Sequence, residues 1–327
     1  MSEPLPMRSF RDVLAHRLIA QALITPRVEA AAHMLATQDQ IYAAGVTALQ
    51  LRSPDPATTP STPSVVEQIR AGTVVRAWTQ RGTVHLVAAQ DVQWLARLCS
   101  PRVEAAAAKR RPGLGLDETM YDRAHAAFRE RLADGPIARP EAYALFASAG
   151  VSPEGGRGQH LLRSFGGQGD VVQGPRRGND DTFGLTRDLP VAQRELDGDD
   201  ALAELAARYL ASHGPATAQD LSWWSGLTVR DVKRGVELAG ERLIPVEVPD
   251  RPDGFLAVSE VESIAPEQLD AALAVVLDLP AFDEYLIGYT DRAGFLPPEL
   301  VPVVGPTKNG MCRPFRVRGG IIEAAAS

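Results

Sequence analysis

Two glutamines separated by one residue, Gln38 and Gln40, are the strongest candidates for chemistry in this chain. A side-chain amide oxygen can bind a water molecule, and it offers partial negative charge to a developing cation without trapping it. Residues two apart share a face of an extended or kinked backbone, but on a regular helix they diverge by about 200°. A shared role for the two amides therefore requires that a helix be broken at this point. The alternative is that both are ordinary polar residues on a helix surface.

Carboxylates stand beside these glutamines and again near the C-terminus. Asp39 could act as a base or stabilise an oxocarbenium ion, but neighbouring side chains do not share a face, so we expect it to point away from the amides. Asp283 and Glu284 could form the acid–base pair of a hydrolase. Adjacent positions on a strand face opposite ways, which favours a structural or positioning role for this pair.

A predicted hairpin from Thr73 to Val87 holds the next group of candidates. Arg76 on its first strand and Arg81 at its turn could each contact a phosphate group. His85 could do the same through its ring nitrogens, or it could be a structural histidine satisfied within the hairpin. Trp78 could stack on a base, although a single Trp in a hairpin is more often a core residue.

These candidates must be positioned by a repeated set of elements: two helices, a turn between them and a hairpin. The first copy consists of a helical stretch from Val28 to Arg52, a helix from Ser64 to Ala71 and the hairpin above. The other two copies begin at Gly135-Pro136 and Gly214-Pro215. Their expected helices are Arg139 to Ala149, Gly158 to Phe165, Ala218 to Gly226 and Val229 to Gly240, with strands around 174–178 and 249–254.

This order of elements is the plan of a winged helix, whose usual ligand is duplex DNA. Tandem modules favour an extended binding surface over a single pocket. Arg176 and Arg177 lie at the predicted wing tip of the second copy, where they could contact phosphates. The alternative is that they are solvated charges with no specific role.

Composition limits the classes of protein to consider. The 327 residues suffice for two or three domains, and 45% are hydrophobic. We find no apolar run of the roughly 20 residues that a membrane helix needs, and we expect no signal peptide. Two cysteines, Cys99 and Cys312, indicate a reducing cytoplasm, and the six histidines show no metal-ligand spacing. The net charge of −7 argues against a protein that coats nucleic acid non-specifically, but it allows local basic patches.

Four stretches together resemble the AlkZ-like DNA glycosylases, a family of tandem winged-helix proteins that excise bulky alkylated purines and unhook interstrand crosslinks. The resemblance covers nearly the whole chain. In this sequence the four stretches are Met34 to Ala44 with its Gln-x-Gln segment, Arg76 to Val87 with Trp-x-x-Arg-Gly-Thr-x-His-Leu, the two Gly-Pro modules, and Phe282 to Arg292 with Asn309-Gly310 beyond it. The chain departs from the family at Asp39, where an apolar residue is usual, and at its short end after Ile321.

The resemblance implies an α+β fold of three tandem winged helices followed by a β-rich, small barrel-like region. The expected divisions are 1–110, 111–195, 196–265 and 266–327. It further implies a monofunctional glycosylase in which Gln38 and Gln40 hold the attacking water.

In this interpretation the DNA contacts come from Arg76, Arg81, His85, Arg176 and Arg177, with Asp39, Trp78, Asp283 and Glu284 in support. We expect a monomer without a cofactor or metal, located in the cytoplasm at the nucleoid, which acts on duplex DNA with alkylated bases. The alternatives are a non-catalytic winged-helix regulator and a scaffold that binds other proteins.

Overall fold

The computed structural model describes residues 3–249 and 251–324. Asp250, in the third predicted hairpin, and Ala325 to Ser327 lie outside the described residues. In chain order the α-helices are α1 (Phe10–Ala20), α2 (Ala30–Met34), α3 (Tyr42–Leu51), α4 (Val65–Ala71), α5 (Val92–Cys99), α6 (Pro101–Ala108), α7 (Glu118–Leu132), α8 (Arg139–Ser148), α9 (Arg157–Gly166), α10 (Gly198–His213), α11 (Ala218–Ser225), α12 (Val229–Ala239), α13 (Pro266–Ala274), α14 (Glu284–Ile287) and α15 (Val301–Val304).

The strands are β1 (Leu5–Pro6), β2 (Thr37–Gln38), β3 (Val74–Trp78), β4 (Val84–Ala88), β5 (Ile137–Ala138), β6 (Val171–Gln173), β7 (Thr182–Leu185), β8 (Leu243–Val248), β9 (Arg251–Val258), β10 (Val276–Leu279), β11 (Phe315–Arg318) and β12 (Ile321–Ala324). This mixture of helices and strands confirms the predicted α+β class. Over the described ranges, no helix has both the length and the apolar character needed to span a membrane.

The chain divides into two compact units. Unit 1 combines residues 1–65 with 197–327, and unit 2 consists of residues 66–196. The division into four parts at 110, 195 and 265 stays a prediction.

Unit 2 is built around a sheet and an aromatic core. Strands β4, β3, β6, β7 and β5 are neighbours in that order, and each adjacent pair is antiparallel. The rings of Trp78 and Phe183 stack with their centroids 6.2 Å apart. A Cβ atom at Gly166 would lie 2.2 Å from the Trp78 ring, so only glycine fits beside it. Trp78 is therefore a core residue, the commoner of its two predicted roles.

Unit 1 contains two small sheets. Strand β8 lies between β1, which is parallel to it, and β9, which is antiparallel. Val13 of α1 packs with Ile244 and Phe255 of this sheet in one apolar cluster. Strand β11 lies between β10 and β12, antiparallel to both. The barrel-like character expected of this C-terminal region stays a prediction.

The helices of the two Gly-Pro modules lie within one residue of their predicted bounds. Local sequence explains the agreement around α11 and α12. Thr217 and Thr228 cap these helices by accepting hydrogen bonds from the N–H groups of Asp220 and Asp231. Gly226 ends α11 with a φ of 78°, a conformation that glycine adopts without strain.

The prediction of one helical stretch from Val28 to Arg52 is wrong. Helix α2 ends at Met34, Leu35 takes a φ of 64°, and the chain is extended through β2 before α3 begins at Tyr42. A leucine at positive φ is strained, so contacts elsewhere in the fold must hold this break.

Candidate active site

The break between α2 and α3 brings the two predicted glutamine side chains together. The Gln38 amide Nε2 donates a hydrogen bond to Gln40 Oε1 over 3.3 Å. Gln38 is 7% exposed, whereas Gln40, the residue nearer to α3, is exposed to solvent. The condition that the sequence set for a joint role, an interrupted helix with both amides on one side, is met in this geometry.

A buried carboxylate, Glu284, holds the backbone of this segment. Its Oε1 accepts the Gln38 backbone N–H at 2.8 Å, and its Oε2 accepts the Trp224 indole N–H at 3.0 Å. The His213 Nε2 lies 3.6 Å from the same Oε2. Because Glu284 is fully buried, its hydrogen bonds replace those that water would otherwise make. We conclude that Glu284 fixes the backbone of the glutamine segment from the protein interior.

His213 is enclosed beside this carboxylate. Its ring stacks on Tyr209 with centroids 4.7 Å apart, and Nδ1 shares a 2.9 Å hydrogen bond with the Ser212 hydroxyl. Burial lowers the pKa of His213 below its usual value, although the nearby Glu284 acts in the opposite direction. A neutral His213 near pH 7 follows from this balance.

Asp283 and Glu284 have different partners and do not form an acid–base pair on a shared surface. Arg52 binds both Asp283 carboxylate oxygens, with N–O distances of 2.9 and 2.8 Å, and both side chains are 0% exposed. Arg52 also donates to the Gln21 amide oxygen at 2.7 Å. The Gln21 amide in turn donates to the Tyr289 hydroxyl at 3.0 Å. The structure thus gives both carboxylates internal, positioning contacts.

Asp39 is fully buried, although it lies between Gln38 and exposed Gln40. Its carboxylate packs against α3 at Gly45, where a Cβ atom would come within 2.2 Å of Asp39 Oδ1. Gly45 therefore makes room for this carboxylate. The exposed Gln40 and the enclosed Asp39 lie in different environments.

The structure gives two of the predicted DNA-contact residues in unit 2 internal contacts. Arg76 is 5% exposed, and its guanidinium donates to Gln173 Oε1 at 2.9 Å and to Asp181 Oδ1 at 2.6 Å. His85 is 0% exposed, and its Nδ1 lies 3.0 Å from the Thr79 hydroxyl. An internal role was one of the two alternatives for His85, whereas the ion pair of Arg76 was not predicted from the sequence. Either side chain would have to leave these contacts to touch DNA.

The remaining three predicted contacts lie nearer the surface of unit 2. Arg81 takes a φ of 53° at the hairpin turn and is half-buried. Arg176 and Arg177 lie between β6 and β7, at the predicted wing. The Arg177 side chain is 57% exposed and pairs with Glu141 at 3.0 Å, while Arg176 is 3.5 Å from Asp181.

Three residues that were not predicted from the sequence complete the buried network behind the glutamines: Gln21, Arg52 and His213. Arg52 and Asp283 are 231 residues apart in the chain, and Gln38 and Glu284 are 246 apart. Gln21, Arg52 and His213 lie at the C-terminal ends of α1, α3 and α10, and a polar residue at a helix end gives no sign of so distant a partner. No group of three or more potential metal ligands occurs within residues 3–249 and 251–324.

The fold and this site define a class of protein. The family model for "DNA glycosylase AlkZ-like" proteins matches residues 31–322, so the chain belongs to that family. This match confirms both the predicted family and the predicted enzyme class, DNA glycosylase.

Two comparisons with individual proteins agree with this membership. The chain is 25% identical over 311 residues to an interstrand DNA cross-link repair glycosylase from Streptomyces sahachiroi, covering 86% of this chain and 77% of the relative. It is also similar in fold to the solved structure of the Streptomyces sahachiroi DNA glycosylase AlkZ. That likeness has a TM-score of 0.75 at 22% identity and covers 96% of this chain and 86% of the other.

Proposed function

We propose that this chain is a monofunctional DNA glycosylase that excises bulky N-alkylated purines from duplex DNA. The amides of Gln38 and Gln40 would hold a water molecule, and this water would attack the sugar carbon of the N-glycosidic bond. The observation that supports this most directly is the 3.3 Å contact between the two amides on a broken, strained helix junction. Because the similar Streptomyces protein is named for cross-link repair, we include the unhooking of interstrand crosslinks in the proposal.

The proposed reaction needs little general-acid catalysis from the protein. A purine alkylated at N7 or N3 already has a positive charge. When the bond to C1′ breaks, the purine takes the electron pair of that bond and leaves as a neutral base. The sugar becomes oxocarbenium-like, and the water oxygen then bonds to C1′ and loses a proton to solvent. Amide oxygens near C1′ would orient that water and stabilise the cation.

The contacts behind the glutamines support a positioning role for Glu284. Its carboxylate accepts the Gln38 backbone N–H and the Trp224 indole N–H from a fully buried position. A catalytic group must be held close to its productive geometry, and this is best done by side chains that are themselves locked. In the proposal, Glu284 fixes the Gln38 backbone, while Asp39 remains packed on Gly45 and takes no direct part.

Three winged helices would present this site to a DNA duplex, as a monomer acting at the nucleoid. The helix pairs α8–α9 and α11–α12, each followed by a hairpin, supply the element order for two of them. We propose Arg81, Arg176 and Arg177 as phosphate contacts, since each is at a turn with at least part of its side chain accessible. Arg76 and His85 would act indirectly, by fixing the hairpin.

An excision assay separates this proposal from a non-catalytic DNA-binding protein. A duplex with N7-methylguanine and a second with a bulky N7 adduct would be incubated with excess protein and then treated with hot alkali, which cleaves abasic sites. We expect cleavage at the adduct in both duplexes and none in undamaged DNA. Tight binding to both duplexes without cleavage would instead favour a regulator.

A further inference from the structure

A cleft of about 530 Å³ in unit 1, which we call the Arg17 cleft, takes no part in the proposed chemistry. It lies between α1, the first turn of α11, β9 and the segment after α14. Its principal lining residues are Phe10, Arg17, Gln219, Asp220, Arg251 and Phe255.

The arginine that gives the cleft its name is buried and incompletely satisfied. Arg17 is 2% exposed, and its guanidinium carbon lies 3.7 Å from the centroid of the Tyr289 ring. Its Nε donates to the Pro215 carbonyl at 2.9 Å, and its Nη2 is 3.8 Å from Asp220 Oδ2. Its buried Nη1 has no hydrogen-bond acceptor among the described residues. An unmet charged donor is costly, so an acceptor from a ligand would be strongly favoured at this position.

The N-terminus of α11 adds further donors to the same cleft. Thr217 caps this eight-residue helix by accepting the Asp220 N–H at 3.1 Å. Thr217 also donates to Asp220 Oδ2 through its backbone N–H and its hydroxyl, each over 3.0 Å. Helix geometry leaves the N–H groups of Ala218 and Gln219 without an intrahelical acceptor, and the helix dipole makes this end positive. Such an end favours oxyanions.

The carboxylates of the cleft are already engaged by protein donors. Asp220 Oδ1 accepts the Thr290 backbone N–H at 2.8 Å, in addition to the bonds at its other oxygen. Asp291 Oδ2 accepts from Arg251 at 2.6 Å. Two arginines and two aspartates leave no net formal charge, and the helix end adds a partial positive one. Among the described residues of the cleft, both carboxylates already have protein donors, so a ligand is the source of acceptor that we consider for Arg17 Nη1.

We propose that the Arg17 cleft binds a phosphate group, whose oxygens accept hydrogen bonds from Arg17 Nη1 and from the first-turn N–H groups of α11. Phe10 and Phe255 supply an apolar wall against which the sugar or base attached to that phosphate would rest. The phosphate could belong to a DNA strand or to a free nucleotide, since both present the same group. If it belongs to DNA, the inference rests on the proposed function and adds a contact to the duplex away from the glutamines.

The test uses a substitution that leaves the buried network intact. Replacing Arg17 itself could unfold unit 1, so we choose Gln219→Glu, which puts a negative charge on an exposed residue of the cleft. The matched control is Gln268→Glu, the same change at another exposed residue in the first turn of a helix, α13. Binding of inorganic phosphate and of adenosine monophosphate would be followed by NMR titration, and binding of a short undamaged duplex by fluorescence anisotropy.

We expect Gln219→Glu to weaken phosphate binding by about five- to tenfold, because a like charge faces the site, and Gln268→Glu to leave it unchanged. Equal weakening of duplex binding assigns the site to DNA. Weaker binding of the nucleotide with unchanged duplex binding assigns it to a free nucleotide. Phosphate binding that is the same in both variants and the wild type overturns the proposal. Excision by the wild-type protein is scored separately, so either proposal can fail while the other stands.

Discussion

The apolar core of unit 2 includes several packed aromatic rings, and its Arg76–Asp181 ion pair keeps some exposure at Asp181, whereas unit 1 encloses an ion pair completely, together with a network of amides. In unit 2, Phe128, Phe165 and Phe183 belong to one apolar cluster in which each is 0% exposed. In unit 1, Arg52 and Asp283 are equally buried, and both are charged. Burying apolar side chains stabilises a fold without a desolvation penalty. A buried ion pair must instead offset the large free-energy cost of removing two charges from water.

This difference suggests a division of roles. The polar interior of unit 1 lies behind a strained junction, at Leu35, that presents two amides on one side. Such a conformation persists only where the surrounding contacts over-determine it. We infer that the network around Asp283 and Glu284 serves to hold the two glutamines in position. The core of unit 2 stabilises the fold through the burial of apolar side chains.

The largest effect should follow from breaking the buried ion pair. Arg52→Met leaves the Asp283 carboxylate buried without its cation, which should lower the free energy of unfolding by about 3–5 kcal/mol. The exposed pair of Arg177 with Glu141 is the control, and Arg177→Met should cost no more than about 1 kcal/mol. Urea unfolding at pH 7 measures both. Similar losses in the two variants would remove the contrast between the units.

A smaller effect is expected on acidification. Burial lowers the pKa of His16 from 6.5 to about 4. Between pH 6.5 and pH 4, His16 is therefore protonated in the unfolded chain but neutral in the folded chain. The free energy of unfolding should therefore fall as the pH drops from 6.5 towards 4, by on the order of 2 kcal/mol for this residue. His16→Gln should reduce the dependence, as thermal melts at several pH values would reveal. His125→Gln in unit 2 is the control, because burial also lowers the pKa of His125 but its side chain is only partly buried. An equal change in the two variants would contradict the assignment to His16.

The smallest effect concerns the wing of unit 2. Removing both Arg176 and Arg177 should weaken binding to any duplex by about five- to twentyfold and reduce the slope of log affinity against log salt by about one to two. Arg187→Ala, at an exposed arginine beyond β7, serves as the comparison. Anisotropy titrations at several salt concentrations distinguish the two. An unchanged slope in the double variant would mean that this wing does not contact DNA.

Much of the fold could be predicted because helix and turn boundaries depend on neighbouring residues. The site was harder to predict because its contacts join residues that are far apart in the chain. The Gly-Pro pairs and the threonine caps locate α11 and α12 because helix ends depend on nearby residues. The break at Leu35 has no such local cause, since the contact that holds Gln38 comes from Glu284, 246 residues away.

The hairpin illustrates a second limit. Alternation along a strand separates two faces, but every residue of β3 is buried, so the pattern could not reveal that Arg76 points to an internal partner. The wing arginines, exposed at Arg177 and partly exposed at Arg176, were easier to place because a turn between strands lies at the surface.

Single-turnover excision rates test whether the amides of Gln38 and Gln40 hold the attacking water. Gln38→Ala and Gln40→Ala should each lower the rate by about 10- to 1000-fold with duplex affinity nearly unchanged, because each positioned hydrogen bond supplies only a few kcal/mol. Asp39→Asn, at the buried carboxylate, and Gln90→Ala, at an exposed glutamine of unit 2, should excise at nearly the wild-type rate. Full activity in the Gln38→Ala/Gln40→Ala double variant would contradict the assignment.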